Sequence, residues 1–181
     1  MKKIVFALFY LFLANTYAFG EDVIGFWKTI NESTGKPESI VGIYEHNSKY
    51  FGRIVATLNS QGEIQDSMDN PKERAPGVIG NPFYSGMDII WDLKKNGDKF
   101  SGGKILDPEH GRVYDAELWR DKNKLIVRGE LLFLGRNQAW IPAENEDFNG
   151  FKKPNLTAFV PSIPEVKHYV SHLHHESHAD E

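Results

Sequence analysis

Apolar and polar residues alternate along several short runs of the chain, with the period of two that is typical of a β-strand. In the run RVYDAELWR, Tyr114, Ala116 and Leu118 alternate with Asp115 and Glu117. Similar runs rich in Ile, Val, Tyr, Phe and Trp recur, with clusters of Gly, Asn, Asp or Pro between them. The pattern predicts eight strands, at residues 24–30, 39–46, 50–58, 87–94, 99–106, 112–120, 124–133 and 138–143.

Most links between the predicted strands are tight turns, such as EHNSKY, KKNGDK, DPEHGR and RDKNK. Strands joined by such short links pair with their neighbours in the sequence, which gives an antiparallel meander. Closing the meander into a barrel removes its two unpaired edges. We therefore expect an all-β fold, an eight-stranded up-and-down antiparallel barrel that spans residues 21–143.

One connection is much longer than the others. Residues 59–86 exceed the usual length of a loop in a compact domain, and such loops are usually functional lids or disordered segments. The segment begins with polar residues and ends in GVIGNPFYSG, whose large apolar side chains favour burial. We predict that residues 78–86 form a lid over the barrel mouth, with a loose surface loop as the alternative.

Residues 144–181 are predicted to form an extension that begins as a proline-containing linker. Ser162 and Glu165 then fit a capping box, a side-chain pattern that starts many helices. The apolar residues that follow have helical spacing: Val166, Tyr169, Val170 and Leu173. The sequence therefore predicts a short, His-rich C-terminal helix.

The first 20 residues have the order of a secretory signal peptide, with Lys2 and Lys3, then an apolar run, then small residues. Removing residues 1–20 lowers the formal net charge from −4 to −6, because both lysines are lost and no acid is. An acidic chain argues against nucleic acids as partners. We expect a periplasmic or secreted protein without a membrane span, and without disulfides because the chain has no cysteine.

The segment DPEHG contains Asp107 and His110, the most compact acid–imidazole pair before the C-terminal region. It is also a turn sequence, because Asp107 can bond backbone amides ahead of it, Pro108 presets φ and Gly111 tolerates positive φ. The turn is the favoured interpretation over a metal or catalytic site. The chain also lacks G-x-S-x-G, H-E-x-x-H and phosphate-loop motifs. We therefore expect neither catalysis nor a resident cofactor.

Six motifs occur along the chain in this order: GFWKT, TGKPESIVGIYE, FGRIV, GGKILDPEHGRVYDAEL, KLIVRGE and RNQAW. Together they resemble a family of small exported bacterial proteins of unknown function with a lipocalin-like (calycin) barrel. The resemblance implies that Gly25 and Trp27 close one end of the barrel, with Trp27 under an arginine from a late strand. Arg128 and Arg136 are the candidates, and Arg128 is preferred because it lies in the middle of a predicted strand.

An eight-stranded barrel is wide enough either to hold one small ligand or to fill itself with side chains. Aromatic residues make up 13% of the chain, and those after residue 20 fall mostly on predicted strands, so some must point inward. We predict a site for a small hydrophobic, lipid-like ligand, with a filled barrel as the alternative. The binding residues predicted from the alternation along the strands are Tyr44, Trp91, Tyr114 and Leu118, and those predicted from the lid are Ile79 and Phe83.

Five of the seven histidines lie near the C-terminus. On a helix, His168 and His172 would be neighbours one turn apart, as would His174 and His178. Such pairs chelate Zn²⁺, Ni²⁺ or Cu²⁺ through their imidazoles. The second functional hypothesis is therefore metal binding by His168, His172, His174, His175 and His178. An incidentally His-rich terminus is the alternative.

Overall fold

The computed structural model describes residues 22–131 and 134–166, together with the backbone of residues 168 and 169. Two short 3-10 turns, Asn145–Phe148 and Leu156–Ala158, follow the barrel strands. In these residues no helix is long and apolar enough to cross a membrane. The strands are β1 (Gly25–Ile30), β2 (Pro37–His46), β3 (Lys49–Leu58), β4 (Ile64–Ser67), β5 (Asp88–Asn96), β6 (Lys99–Asp107), β7 (Arg112–Asp121), β8 (Lys124–Leu131), β9 (Leu134–Pro142) and β10 (His168–Tyr169).

Eight of these strands close into a barrel. β1 pairs with β2, and the pairing continues through β3, β5, β6, β7, β8 and β9. β9 then returns to β1, where Trp27 lies opposite Pro142. Every pairing in this ring is antiparallel, while the short β4 pairs with β3 alongside the ring. The predicted eight-stranded up-and-down barrel is confirmed.

Gly129 shows which face of the strands points into the barrel. A Cβ on this glycine would lie 3.4 Å from Ile105 Cγ2 and 3.8 Å from Tyr114 Cβ. Alternate residues along β7, β8 and β9 share that inward direction. The inward side chains that pack most tightly are at most 2% exposed: Leu118, Leu125, Val127 and Trp140.

Trp27 packs inside the closed end of the barrel, where β1 begins. Its indole Nε1 donates to Val23 O at 2.9 Å. Gly25, at a φ of 150°, starts the strand beside this ring. The guanidinium of Arg120 lies 4.7 Å from the centroid of the Trp27 ring.

The prediction that Arg128 covers Trp27 is wrong. Arg128 lies between the inward-facing Val127 and Gly129, so its side chain points outward and bonds Glu130. The other candidate, Arg136, pairs with Glu32 at the opposite end of the barrel. Arg120 lies two residues beyond Leu118 and shares its inward direction.

Residues 143–166, the C-terminal strap, cross the outside of the barrel. Phe148 packs against Phe26 with ring centroids 5.0 Å apart, and Phe159 packs against Tyr44 at 5.2 Å. The helix predicted to start at Ser162 is wrong over the described residues. Residues 159–166 are extended, and β10 pairs in parallel with β7.

A buried ion pair fastens the C-terminal strap to the barrel. Asp88 is fully buried and accepts from Arg53 Nε at 2.9 Å, Tyr44 Oη at 2.8 Å and Ser162 N at 2.5 Å. The Arg53 guanidinium also donates to Val160 O at 2.6 Å. Burial, followed by the negative charge of Asp88, raises the pKa of Tyr44 and keeps its hydroxyl a donor.

The long connection between β3 and β5 is docked on the barrel rather than loose. Gly77 N donates to Pro108 O at 3.2 Å in the β6–β7 turn. The two backbones meet so closely that a Cβ on Gly111 would lie 2.0 Å from Gly77 O. Asp66 holds the start of the connection through the amides of Lys72 and Glu73, at 2.8 and 2.7 Å.

Candidate functional site

The barrel contains a cavity of about 920 Å³. It opens at the end where β1 finishes and where the β6–β7 turn lies, opposite the end closed by Trp27. Its volume falls within the range of about 300–1,000 Å³ that small-molecule sites occupy. The apolar part of its wall comes from residues on six strands: Ile30, Ile54, Leu58, Ile89, Ile105, Leu106, Val127 and Trp140.

Neutral polar groups are also set into the cavity wall. Trp140 Nε1 donates to Gln138 Oε1 at 3.2 Å, which fixes the orientation of the Gln138 amide because an indole nitrogen can only donate. The Gln138 NH₂ group has no partner among the described residues and is available to a ligand oxygen. Thr29 and Ser39 satisfy each other, with their hydroxyl oxygens 2.8 Å apart.

Charged side chains are confined to the mouth of the cavity. The carboxylates are Glu32 and Glu38 from the β1–β2 side, Glu73 from the long connection, and Asp107 and Glu109 from the β6–β7 turn; the basic groups are Arg136 and His110. The remaining lining residues are neutral. The cavity is therefore uncharged in its interior and acidic at its mouth.

Tyr84 lies among the carboxylates on one side of the mouth. Burial, and then the negative charges of Glu109, Glu73 and Asp107, raise the pKa of its phenol above 10.0. Its backbone N–H donates to Glu73 O at 3.0 Å. Glu109, Glu73 and Asp107 are thus close enough to the Tyr84 phenol to raise its pKa together.

The DPEHG segment is a turn, as its sequence predicts. Asp107 Oδ1 accepts from the amides of Glu109 and His110 at 3.1 and 3.2 Å. Gly111 has a φ of 69° and donates its N–H to Asp107 O at 2.8 Å. His110 Nδ1 lies 2.8 Å from Asp107 Oδ2. The turn nevertheless lines the cavity mouth, so it belongs to the candidate site.

Of the four strand residues predicted to bind a ligand, Tyr114 lines the cavity. Leu118 points inward but lies deeper, fully buried opposite Phe100 and Val127. Tyr44 is on the outer face, under the C-terminal strap. This placement corrects the parity assumed for β2.

Trp91 is also on the outer face of the barrel. It lies opposite Lys104, whose ammonium binds the outward-facing Asp115 at 2.6 Å. Residues paired across neighbouring strands point to the same side of a sheet. Trp91 therefore lies outside the cavity wall, contrary to the prediction.

The predicted lid reaches the mouth through Tyr84 rather than through Ile79 and Phe83. Those two residues line a separate groove of about 300 Å³ against Ile163 and Pro164 of the C-terminal strap. They turn away from the mouth because Ile79 N donates to Glu165 O at 3.1 Å, which fixes this part of the connection to the strap.

The metal hypothesis falls mainly on residues that the structure does not describe. His172, His174, His175 and His178 lie outside the described chain, and only the backbone of His168 lies within it. Across residues 22–131 and 134–166, no group of three or more His, Cys, Asp or Glu side chains could hold a metal ion.

Sequence reasoning missed the carboxylates of Glu32, Glu38 and Glu73 and the amide of Gln138, and it assigned the acids of DPEHG to a turn alone. The five carboxylates come from the β1–β2 side, the long connection and the β6–β7 turn, which are distant in sequence and meet only when the barrel closes. Gln138 could have been nominated, since it lies two residues from an aromatic residue on the same predicted strand and shares its face.

Comparison with known proteins supports the same architecture. The profile of a family described as "Uncharacterized protein conserved in bacteria (DUF2147)" matches residues 25–141. Protein HP1028 from the human pathogen Helicobacter pylori, described as belonging to the lipocalin family, has a similar structure, with a TM-score of 0.58 and 20% sequence identity. The similarity covers 75% of this chain and 94% of that one. Among curated proteins, none matches the chain.

Proposed function

We propose that this chain, which belongs to the family of uncharacterized proteins conserved in bacteria (DUF2147), binds a small, largely apolar molecule inside its barrel. The observation that carries the proposal is the open cavity of about 920 Å³ with an apolar wall. The apolar part of the wall faces space that water can enter, and a bound apolar molecule would remove this surface from water. The likeness of the fold to a lipocalin-family protein supports the same role.

The role that we propose is binding without catalysis. In the described part of the cavity wall, the imidazole of His110 bonds the Asp107 carboxylate rather than a hydroxyl nucleophile. Burial of apolar surface would supply the affinity, at about 25 cal/mol per Å² before the costs of association. We further propose that the protein acts outside the cytoplasm, on the basis of the signal-peptide pattern in residues 1–20.

Filling the cavity tests this proposal. Gly129→Phe would place a ring inside the cavity, where the nearest atoms to the new Cβ, at 3.4 and 3.8 Å, allow ordinary contact. The measurement is a fluorescence titration of the purified protein with N-phenyl-1-naphthylamine, an uncharged apolar probe. We expect the variant to bind the probe about tenfold more weakly, because the ring takes space that the probe would occupy.

Ala139→Phe is the matched control, because Ala139 is exposed on the outer face of the neighbouring strand β9. It adds the same ring and should leave probe affinity unchanged. Circular dichroism should show both variants folded. Equal probe affinity in the wild type and in folded Gly129→Phe would show that the cavity is not the binding site, and the proposal would fail.

A further inference from the structure

The carboxylates at the cavity mouth differ in whether a basic group neutralises them. Glu32 is paired with Arg136, and Asp107 is paired with His110, with a distance of 2.8 Å between Oδ2 and Nδ1. The side-chain carboxylate of Glu109 has no hydrogen-bonding or ionic partner among the described residues. The mouth therefore contains carboxylates whose charge is compensated and carboxylates whose charge is not.

Glu38 and Glu73 are held by neutral amides. Glu38 Oε1 accepts from Asn31 Nδ2, and Glu73 Oε1 accepts from Gln65 Nε2, each at 2.5 Å. These bonds orient the carboxylates and leave their negative charge in place. With Glu109, three uncompensated charges surround the opening.

The nearest lysines do not supply the missing positive charge. Lys36 and Lys72 are exposed and do not line the cavity. Their ammonium groups donate to backbone carbonyls, Ser60 O at 3.1 Å and Gln65 O at 3.2 Å. Among the described residues that line the cavity, five carboxylates are accompanied by one arginine and one histidine, so the mouth carries a net negative charge.

The cavity defines the site, and the carboxylates determine which ligands it favours. Below the mouth the wall is neutral and largely apolar, and the Gln138 amide keeps a free donor there. Burying a charge in such a wall is costly, whereas a charge at the mouth stays hydrated. A ligand that fits both regions has an apolar body and a positive group at one end.

We propose that the preferred ligands are amphiphilic organic cations, whose apolar part occupies the cavity and whose amine or quaternary ammonium group lies at the mouth beside Glu38, Glu73 and Glu109. This inference rests on the proposed function, because it names the ligand class of the same cavity. An organic cation suits the mouth better than a metal ion, since these carboxylates do not converge on one point in the described structure.

The test compares ligands that share one apolar chain and differ in the charge of the head group. Dodecyltrimethylammonium, dodecanoate and the neutral dodecyldimethylamine oxide are titrated calorimetrically below their micelle concentrations. At about 0.15 M salt, each exposed carboxylate raises the affinity for the cation relative to that for the anion by about two- to threefold. The wild type should therefore bind the cation about tenfold more tightly than dodecanoate.

The triple variant Glu38→Gln, Glu73→Gln and Glu109→Gln keeps the shape of the mouth and removes three charges. It should bring the affinities for cation and anion to within about twofold and leave that for the amine oxide unchanged. The control is Asp98→Asn, Asp121→Asn and Glu146→Gln, which removes three exposed charges away from the mouth and should preserve the preference. If the triple variant folds poorly, the single variant Glu109→Gln replaces it and should give a smaller change in the same direction.

The outcomes separate this inference from the proposed function. Binding of all three ligands with equal affinity would overturn the cation preference and leave the cavity as the binding site. A cation preference that survives in the folded triple variant would overturn the role of these carboxylates. Absence of binding by all three ligands would overturn both proposals.

Discussion

Replacing Asp88 by Asn should detach the C-terminal strap and destabilise the whole barrel. The substitution keeps the size of the side chain and removes its charge. Arg53, whose side chain is 8% exposed, would then remain charged without its ionic partner. The bonds that Asp88 accepts from Tyr44 and Ser162 would be weakened as well, because an amide oxygen accepts less strongly than a carboxylate.

The size of the effect follows from the burial of the pair. Removing one partner of a buried ion pair typically costs about 3–5 kcal/mol. Asn retains one acceptor oxygen, so we expect the lower end, a loss of about 3 kcal/mol in the free energy of unfolding. With a urea m-value of about 2 kcal/mol/M, the unfolding midpoint should fall by about 1.5 M.

Urea unfolding followed by tryptophan fluorescence measures this loss. Asp92→Asn is the control on the same strand, because Asp92 pairs with Lys49 at 2.6 Å but its side chain is 44% exposed. Its cost should stay below about 1 kcal/mol. Adding Arg53→Met to Asp88→Asn should recover part of the loss, since no unpaired charge remains buried. Equal midpoints for Asp88→Asn and Asp92→Asn would refute the reasoning.

Two other pairs of variants test the closed end and the docked connection by the same assay. Arg120→Met should lower the free energy of unfolding by about 0.5–2 kcal/mol, because the contact with the Trp27 ring is lost. Arg128→Met should change it by less than about 0.5 kcal/mol. The reverse order would contradict the packing of Arg120 on Trp27. Gly111→Ala should cost about 2 kcal/mol more than Gly97→Ala. Both glycines have positive φ, at 69° and 65°, but only the Cβ on Gly111 would meet a neighbouring backbone. Equal costs would show that the backbones at Gly77 and Gly111 move apart to admit the new methyl group.

The barrel could be predicted because its strands and turns carry local signals that agree. The least accurately predicted boundary of a barrel strand is the start of β9, which was predicted at residue 138 and lies at Leu134. The inward positions there are Arg136 and Gln138, which line the cavity and are polar. A strand whose inner face meets water does not show the apolar alternation that defines the others.

The residues of the site were harder to predict because β2 and β5 are buried on both faces. The C-terminal strap covers the outer face of β2, so Tyr44 is as deeply buried as the inward-facing Ile43. Hydropathy then cannot decide which face is inside, and a one-residue error reverses every assignment. Tyr114 was assigned correctly because β7 alternates with Asp115 and Glu117, which face water.

The helix predicted from Ser162 is absent over the described residues, where tertiary contacts hold the segment. Ser162 N donates to the Asp88 carboxylate instead of to the Glu165 side chain that a capping box requires, and Glu165 O accepts from Ile79 N. Pro164 also restricts the residue before it to an extended conformation. The capping pattern was present, but these contacts decide the conformation.

The pairing of β1 with β9 has a consequence for how the protein is made. Trp27 must find Pro142, so the barrel cannot close on the ribosome until Pro142 has emerged. Bringing such distant segments together slows folding, because loop-closure entropy is lost before the contacts form. The nascent chain therefore exposes apolar strands for most of its synthesis, and a chaperone that holds it unfolded would protect it from aggregation until the last strand arrives.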